Sequence, residues 1–204
     1  MGKLKIKKRL PFFLWLLLFL FFLVAAALPS FSEEQTEKEI LLPEKEMREA
    51  FESLQVQLIS PPVPMIDFKL ENTEGELVDT KNLRGKFLWI SFWATWCPPC
   101  RFEMPSMQKV WEKFGGEKFL ILAVNIGEDK KTVVSFLRDN SYTFPTLLDT
   151  TQQVSREYGV RAIPTNFFVD PYGKIVGGAI GAREWENPQF YKFLQKLVEE
   201  NPDK

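Results

Sequence analysis

Phe87-Leu88-Trp89-Ile90-Ser91-Phe92-Trp93-Ala94-Thr95-Trp96-Cys97-Pro98-Pro99-Cys100 is the stretch on which the fold turns. Phe87 to Trp93 is apolar at nearly every position, as a strand covered on both faces should be. A short turn follows, then two thiols in C-x-x-C spacing, then a helical pattern. Cys97 and Cys100 are the only cysteines among 204 residues, and the chain contains no histidine. A purely structural disulfide fits poorly, because so small a ring removes little entropy from the unfolded chain. Half of a zinc site fits no better, since structural zinc takes about four thiolate or imidazole ligands. The remaining use of C-x-x-C beside a strand–helix pattern is a dithiol that cycles between reduced and disulfide forms.

Downstream, Pro98 to Phe114 is predicted as a helix with Met104, Met107, Val110, Trp111 and Phe114 in one stripe. Pro105 falls inside it and should kink it, and Gly115-Gly116 ends it. Phe119 to Val124 is a buried strand, and Asp129 caps a helix running to about Asn140. Pro145 to Leu148 is a short strand, and Thr151 to Tyr158 a further helix ending at Gly159. Ile163 to Val169 and Lys174 to Val176 flank Asp170-Pro171-Tyr172-Gly173, a type I turn pattern with Pro second and Gly last, hence an antiparallel hairpin. Asn187-Pro188 opens a last helix through about Glu199. Strands alternating with helices and closing on a hairpin predict an α/β fold with a central mixed sheet and helices on both faces.

Upstream, Met65 to Leu70 reads as an edge strand, Glu71 to Gly75 as a turn and Leu77-Val78 as a second short strand, together an N-terminal hairpin. The globular domain is expected over 61–204. Residues 33–60 hold eight acids against three bases. They are expected to form an acidic spacer with a short helix from Pro43, carrying Met47, Phe51, Leu54 and Leu58, ahead of a proline-rich joint at Ser60-Pro61-Pro62-Val63-Pro64. Residues 1–32 carry Lys3, Lys5, Lys7, Lys8 and Arg9 and then 18 uncharged residues from Pro11 to Leu28. That pattern is either a transmembrane anchor or a cleaved signal peptide. Either way the basic flank leaves the amino terminus in the cytoplasm and sends the rest across the membrane.

Composition excludes much. Without histidine there is no Ser-His-Asp triad, no Cys-His nucleophile and no histidine-ligated metal or haem. Residues 61–204 hold 19 acids and 18 bases, which gives no basic patch of the kind a nucleic acid needs.

Disulfide exchange requires an exposed attacking thiolate and a resolving thiol nearby. Cys97, at the entrance to the helix, is expected to attack, and Cys100, one turn inside, to resolve. The helix dipole favours the Cys97 thiolate, but Pro98 and Pro99 remove two N–H groups and leave the amide of Cys100 as the nearest donor. A modestly stabilised thiolate fits a reductant better than a strong oxidant. Glu103 lies three residues after Cys100 on the same helical face. It is either a solvated glutamate or the carboxylate that takes the Cys100 proton during resolution. Trp93 and Trp96 are expected to cover the site.

Phe92-Trp93-Ala94-Thr95-Trp96-Cys97-Pro98-Pro99-Cys100-Arg101-Phe102-Glu103-Met104-Pro105 resembles the active-site segment of the thioredoxin superfamily, in particular its TlpA/ResA/DsbE-like branch of membrane-tethered extracytoplasmic thiol-disulfide oxidoreductases. The likeness runs from about Pro61 to Val198. It implies a thioredoxin-like fold with one inserted strand–helix unit, matching the 64 positions between Cys100 and Pro164. It implies that Ile163-Pro164-Thr165 is the cis-proline loop that faces the dithiol and pairs with substrate backbone; Trp96, next to Cys97, is a candidate substrate contact apart from the resemblance. The resemblance implies a functional Glu103, and it places Ser91 where plain thioredoxins have a buried aspartate. The branch implies reduction of protein disulfides outside the cytoplasm, apocytochrome c among them, with electrons from an integral membrane thiol carrier. No cofactor is implied beyond the Cys97–Cys100 disulfide itself. A disulfide-forming oxidase, a thiol peroxidase, a tethered binding module with an inert disulfide and a soft-metal chaperone are the competing readings.

Overall fold

The computed structural model describes residues 42–200, and the apolar run 11–28 lies outside them. In chain order the elements are α1 (Glu44–Ser53), β1 (Gln57–Pro64), β2 (Lys69–Asn72), β3 (Leu77–Asp79), a 3-10 turn (Thr80–Leu83), β4 (Phe87–Trp93), α2 (Pro98–Phe114), β5 (Phe119–Ile126), α3 (Lys130–Asp139), β6 (Thr146–Asp149), α4 (Gln153–Glu157), β7 (Thr165–Val169), β8 (Lys174–Ile180) and α5 (Pro188–Glu200). The sheet runs β1-β8-β7-β4-β5-β6-β2-β3. The ladders β4–β5 and β5–β6 are parallel and the others antiparallel. Mixed sheet, thioredoxin-like layout and helices on both faces are all present. β6 with α4 is the extra strand–helix unit between α3 and β7.

β4 lies at the centre, with all seven residues buried. Its odd positions, Phe87, Trp89 and Trp93, join the core formed with α1, α2, α3 and α5. Its even positions, Leu88, Ile90 and Phe92, join Met65, Phe68, Val154 and Val169 on the other face. The period-2 alternation of a strand thus feeds two cores at once. Phe168 of β7 and Trp89 of β4 stack into an aromatic cluster with Trp185 and Phe190.

Two elements ahead of the expected boundary at Pro61, the short helix expected from Pro43 and the first half of β1, pack with the domain. The compact unit takes in the described residues from Leu42 onward. Met47, Ala50 and Phe51 of α1 are buried in the main core, and Lys196 of α5 pairs with Glu46 at 3.0 Å. Gly177 of β8 makes room for this helix, since a Cβ there would stand 2.4 Å from the Phe51 ring. The proline-rich joint is strand β1, antiparallel to β8 with a register shift between Leu58 and Val63. Three prolines are tolerated there because β1 is an edge strand, where missing N–H groups and a bulge leave the inner ladder intact. The hairpin β2–β3 forms as predicted, but β2 pairs with β6 and leaves β3 as the edge.

Among the described residues no helix is long and apolar enough to cross a membrane, and none of their acidic side chains and cysteines cluster in a group able to hold a metal ion.

Candidate active site

Strand β4 ends at Trp93 and hands the chain to a turn that α2 then seizes. Cys97 is the N-cap of α2, and its Sγ accepts the N–H of Cys100 at 3.2 Å. Pro98 and Pro99 occupy the first two helical positions, where their missing N–H groups cost nothing in helix bonding. Cys97 and Cys100 form a disulfide with Cα atoms 5.3 Å apart, within the range a disulfide spans without moving the backbone. α2 runs through Pro105 without a break.

The turn before the cystine is held from β5. Glu128 accepts the Thr95 N–H at 2.7 Å and its hydroxyl at 2.5 Å, while the amide of Asn125 donates to the same carboxylate at 2.7 Å. A carboxylate taking three donors fixes where Ala94 to Cys97 can sit.

Across the cystine stands the β7 loop. The Ile163–Pro164 bond is cis, and the Ile163 carbonyl oxygen lies 3.7 Å from Cys97 Sγ. Cys97 keeps 3 % of its surface open and Cys100 none. The exposed attacker expected from its place at the helix entrance is therefore mostly covered in the disulfide form. Helix position alone does not account for the Ile163 loop folding back over it. Trp96, also expected to cover the site, is 67 % exposed and fills no core. Trp93 does the packing, 5.5 Å from the Phe136 ring.

Glu103 is no solvated glutamate. It exposes 1 % of its surface, and one turn after Cys100 it meets two donors from distant strands and loops. Trp185 Nε1–H reaches Oε2 at 3.2 Å, and Asn166 Nδ2–H reaches Oε1 at 3.4 Å. Asn166 in turn accepts Trp89 Nε1–H at 2.7 Å. Ser106 locks the arrangement by donating to the Glu103 carbonyl and accepting the Trp185 N–H. Burial in this pocket pushes the carboxyl up to about 7, against the pull of Trp185, Asn166 and Arg183. A carboxyl poised there can hold or release a proton near neutral pH. Ser91, opposite Asn166 in the β4–β7 ladder, is buried with its hydroxyl unpaired among the described residues.

Trp185, Asn166, Glu128 and Thr95 are the site residues that sequence reading missed. Asn166 left a trace, as a polar residue inside an apolar strand. Trp185, 82 residues from Glu103, left none.

The sequence profile of the AhpC/TSA family matches residues 62–177. The chain belongs to the AhpC/TSA family. Among curated relatives, a thiol-disulfide oxidoreductase ResA of Bacillus subtilis is 40 % identical over 110 residues, covering 54 % of this chain and 62 % of the relative. The chain thus spans less than two thirds of that relative's length. Of solved structures, StoA from Bacillus subtilis aligns at 30 % identity and a TM-score of 0.55, covering 65 % of this chain and 99 % of its own. A thioredoxin family thiol:disulfide interchange protein from Chlorobium tepidum aligns at 26 % identity and 0.58, covering 68 % and 98 %. The family match spans the cystine and the strand that precedes it.

Proposed function

We propose that the protein is a thiol:disulfide oxidoreductase working outside the cytoplasm as a reductant of protein disulfides. The observation that carries this is the Cys97–Cys100 disulfide at the head of α2, with the Ile163 carbonyl against Cys97 and a buried, proton-competent Glu103 one turn below Cys100. In the reduced form the Cys97 thiolate attacks one sulfur of the substrate disulfide, and the other substrate sulfur leaves as a thiolate. Glu103 takes the proton of Cys100. The Cys100 thiolate then attacks Cys97 Sγ, closing the protein disulfide and releasing the second substrate thiolate. Two electrons pass to the substrate. An integral membrane thiol donor restores the dithiol by the reverse exchange.

Trp96, exposed beside the cystine, and the Ile163–Pro164 loop form the contact surface for substrate in this reading. Pro98 and Pro99 leave Cys97 Sγ with a single N–H donor from α2, that of Cys100, which supports a modestly stabilised thiolate and so a reductant. The basic flank and apolar run of residues 1–32 support an anchor or leader that delivers the domain across the membrane. Apocytochrome c is the proposed substrate, on the strength of the family resemblance.

The deciding experiment is the reduction potential of the protein at pH 7, from free thiols counted at Cys97 and Cys100 in defined dithiol buffers. A value near about -270 mV is expected. One near about -120 mV overturns the reductant in favour of disulfide formation. Cys100→Ser should accumulate a mixed disulfide through Cys97, and its absence would remove the assignment of attacker and resolver.

A further inference from the structure

A groove of about 480 Å3 opens next to the cis-proline loop, lined by Ile59 of β1, Phe167 of β7, Ile180 of β8 and the guanidinium-bearing Arg161 and Arg183. It takes in Ala162 as well, the neighbour of the Ile163 whose carbonyl touches Cys97 Sγ. One end of the groove thus lies a single residue along the chain from the carbonyl that faces Cys97. Its lining includes no Asp, Glu or Lys, so the only formal charges are two positive ones.

Arg183 is held and incompletely used. Its guanidinium carbon lies 5.4 Å from the Trp185 ring, and Nη2 makes a long contact of 3.4 Å to the Ile180 carbonyl. Nη1 is buried with no hydrogen-bond partner among the described residues. A buried charged donor without an acceptor costs free energy, and a carboxylate matches the guanidinium fork with two parallel bonds. Arg161, exposed on the rim, makes no ion pair among the described residues. The apolar floor between them includes Ile180 at 70 % exposure. Charge and shape together ask for a chain segment that is acidic at one place and apolar beside it.

We propose that this groove binds an extended acidic segment of the disulfide-bearing substrate, a carboxylate pairing with Arg183 and Arg161 while apolar side chains rest on Ile59, Phe167 and Ile180. The substrate cystine is thereby delivered to Cys97. The inference rests on the exchange reading of the cystine given above, and it adds the chemistry by which one protein disulfide is preferred over another.

The test uses the reduced full-length protein and three cystine peptides, identical except for a Glu, Gln or Lys beside the disulfide on an apolar background. Hydroxyethyl disulfide, small and uncharged, serves as the reference oxidant. As each peptide is reduced, Cys97 and Cys100 become the disulfide and the peptide gains two electrons and two protons. The expected order of kcat/KM is Glu, Gln, Lys, with about tenfold between the extremes, the size of one close charge pair. The ratio should shrink in about 0.5 M salt, and Arg161→Glu, which leaves the groove neutral, should flatten the order. Equal rates for the three peptides, with hydroxyethyl disulfide reduced normally, overturn the proposal and give the groove to some other occupant. An unchanged order in Arg161→Glu overturns the role of that arginine. Failure to reduce any peptide or the reference disulfide instead removes the exchange reading, and the proposal with it.

Discussion

Trp185 Nε1–H donates to Glu103 Oε2 across 3.2 Å, in a place where neither residue exposes more than 1 % of its surface. One neutral donor does not offset the loss of water around a carboxylate, so burial outweighs the hydrogen bonds and the carboxyl rises to about 7. The folded protein therefore binds a proton at Glu103 that the unfolded chain releases at its ordinary value of 4.5. Between these two pH values the native state holds more protons than the unfolded state, so stability falls as pH rises through them. The contribution lost is roughly 3 kcal/mol. Glu103→Gln should gain about that much relative to the wild type between pH 4 and pH 8 in urea titrations of the disulfide form. A difference that stays flat with pH would show that Glu103 is not the buried acid.

Trp185→Phe keeps a ring against Trp89, whose centroid lies 4.3 Å away, but removes the donor. Because that bond favours the charged form, its loss moves the Glu103 midpoint upward. Cys100-dependent release of a trapped substrate should then show its pH profile displaced to higher pH. Stability should fall by about 1–3 kcal/mol. An unmoved profile would mean that Trp185 packs without acting on the carboxylate.

Glu128→Ala leaves the Thr95 N–H, the Thr95 hydroxyl and the Asn125 amide without their common acceptor. The expected cost is about 1–3 kcal/mol in unfolding free energy, together with slower exchange at Cys97, because the turn ahead of it loses its anchor. Glu128→Gln, which retains one carbonyl acceptor, should fall between. Stopped-flow exchange beside urea midpoints checks both, and an Ala variant with wild-type exchange would show that α2 alone positions Cys97.

Phe51→Ala should cost about 3–5 kcal/mol, as removal of a fully buried aromatic does, since Phe51 packs 4.9 Å from the Phe168 ring. By the same reasoning a chain shortened to start at Pro61 loses α1 and half of β1, and should melt far below one starting at residue 40. Equal melting temperatures for the two would return α1 to the role of a spacer.

Much of this was legible in the residues themselves. The apolar run of Phe87 to Trp93, interrupted only by Ser91, the C-x-x-C after it and the hairpin signal at Asp170 to Gly173 sufficed for a central strand, a cystine at a helix start and a mixed sheet. α1 was legible as an amphipathic helix but not as part of the domain. Its apolar stripe says that a face must be covered, and nothing local says by what. β1 was hidden by its prolines, which argue against a strand unless the strand is at an edge, and being at an edge is a property of the whole sheet.

The sequence by itself determined the chemistry available to this protein: two thiols, no histidine, two prolines that strip donors from the helix start, and a glutamate one turn on. These are local facts, set by spacing of a few residues along one helix. The tertiary structure decided what that chemistry experiences. Glu103 meets Trp185 and Asn166, Cys97 lies under Ile163, and Thr95 hangs from Glu128 only because strands far apart in the chain are stacked side by side. Desolvation and hydrogen bonding act through space and over a few ångströms, so the proton affinity of Glu103 and the exposure of Cys97 could be fixed only once the sheet had brought those partners together.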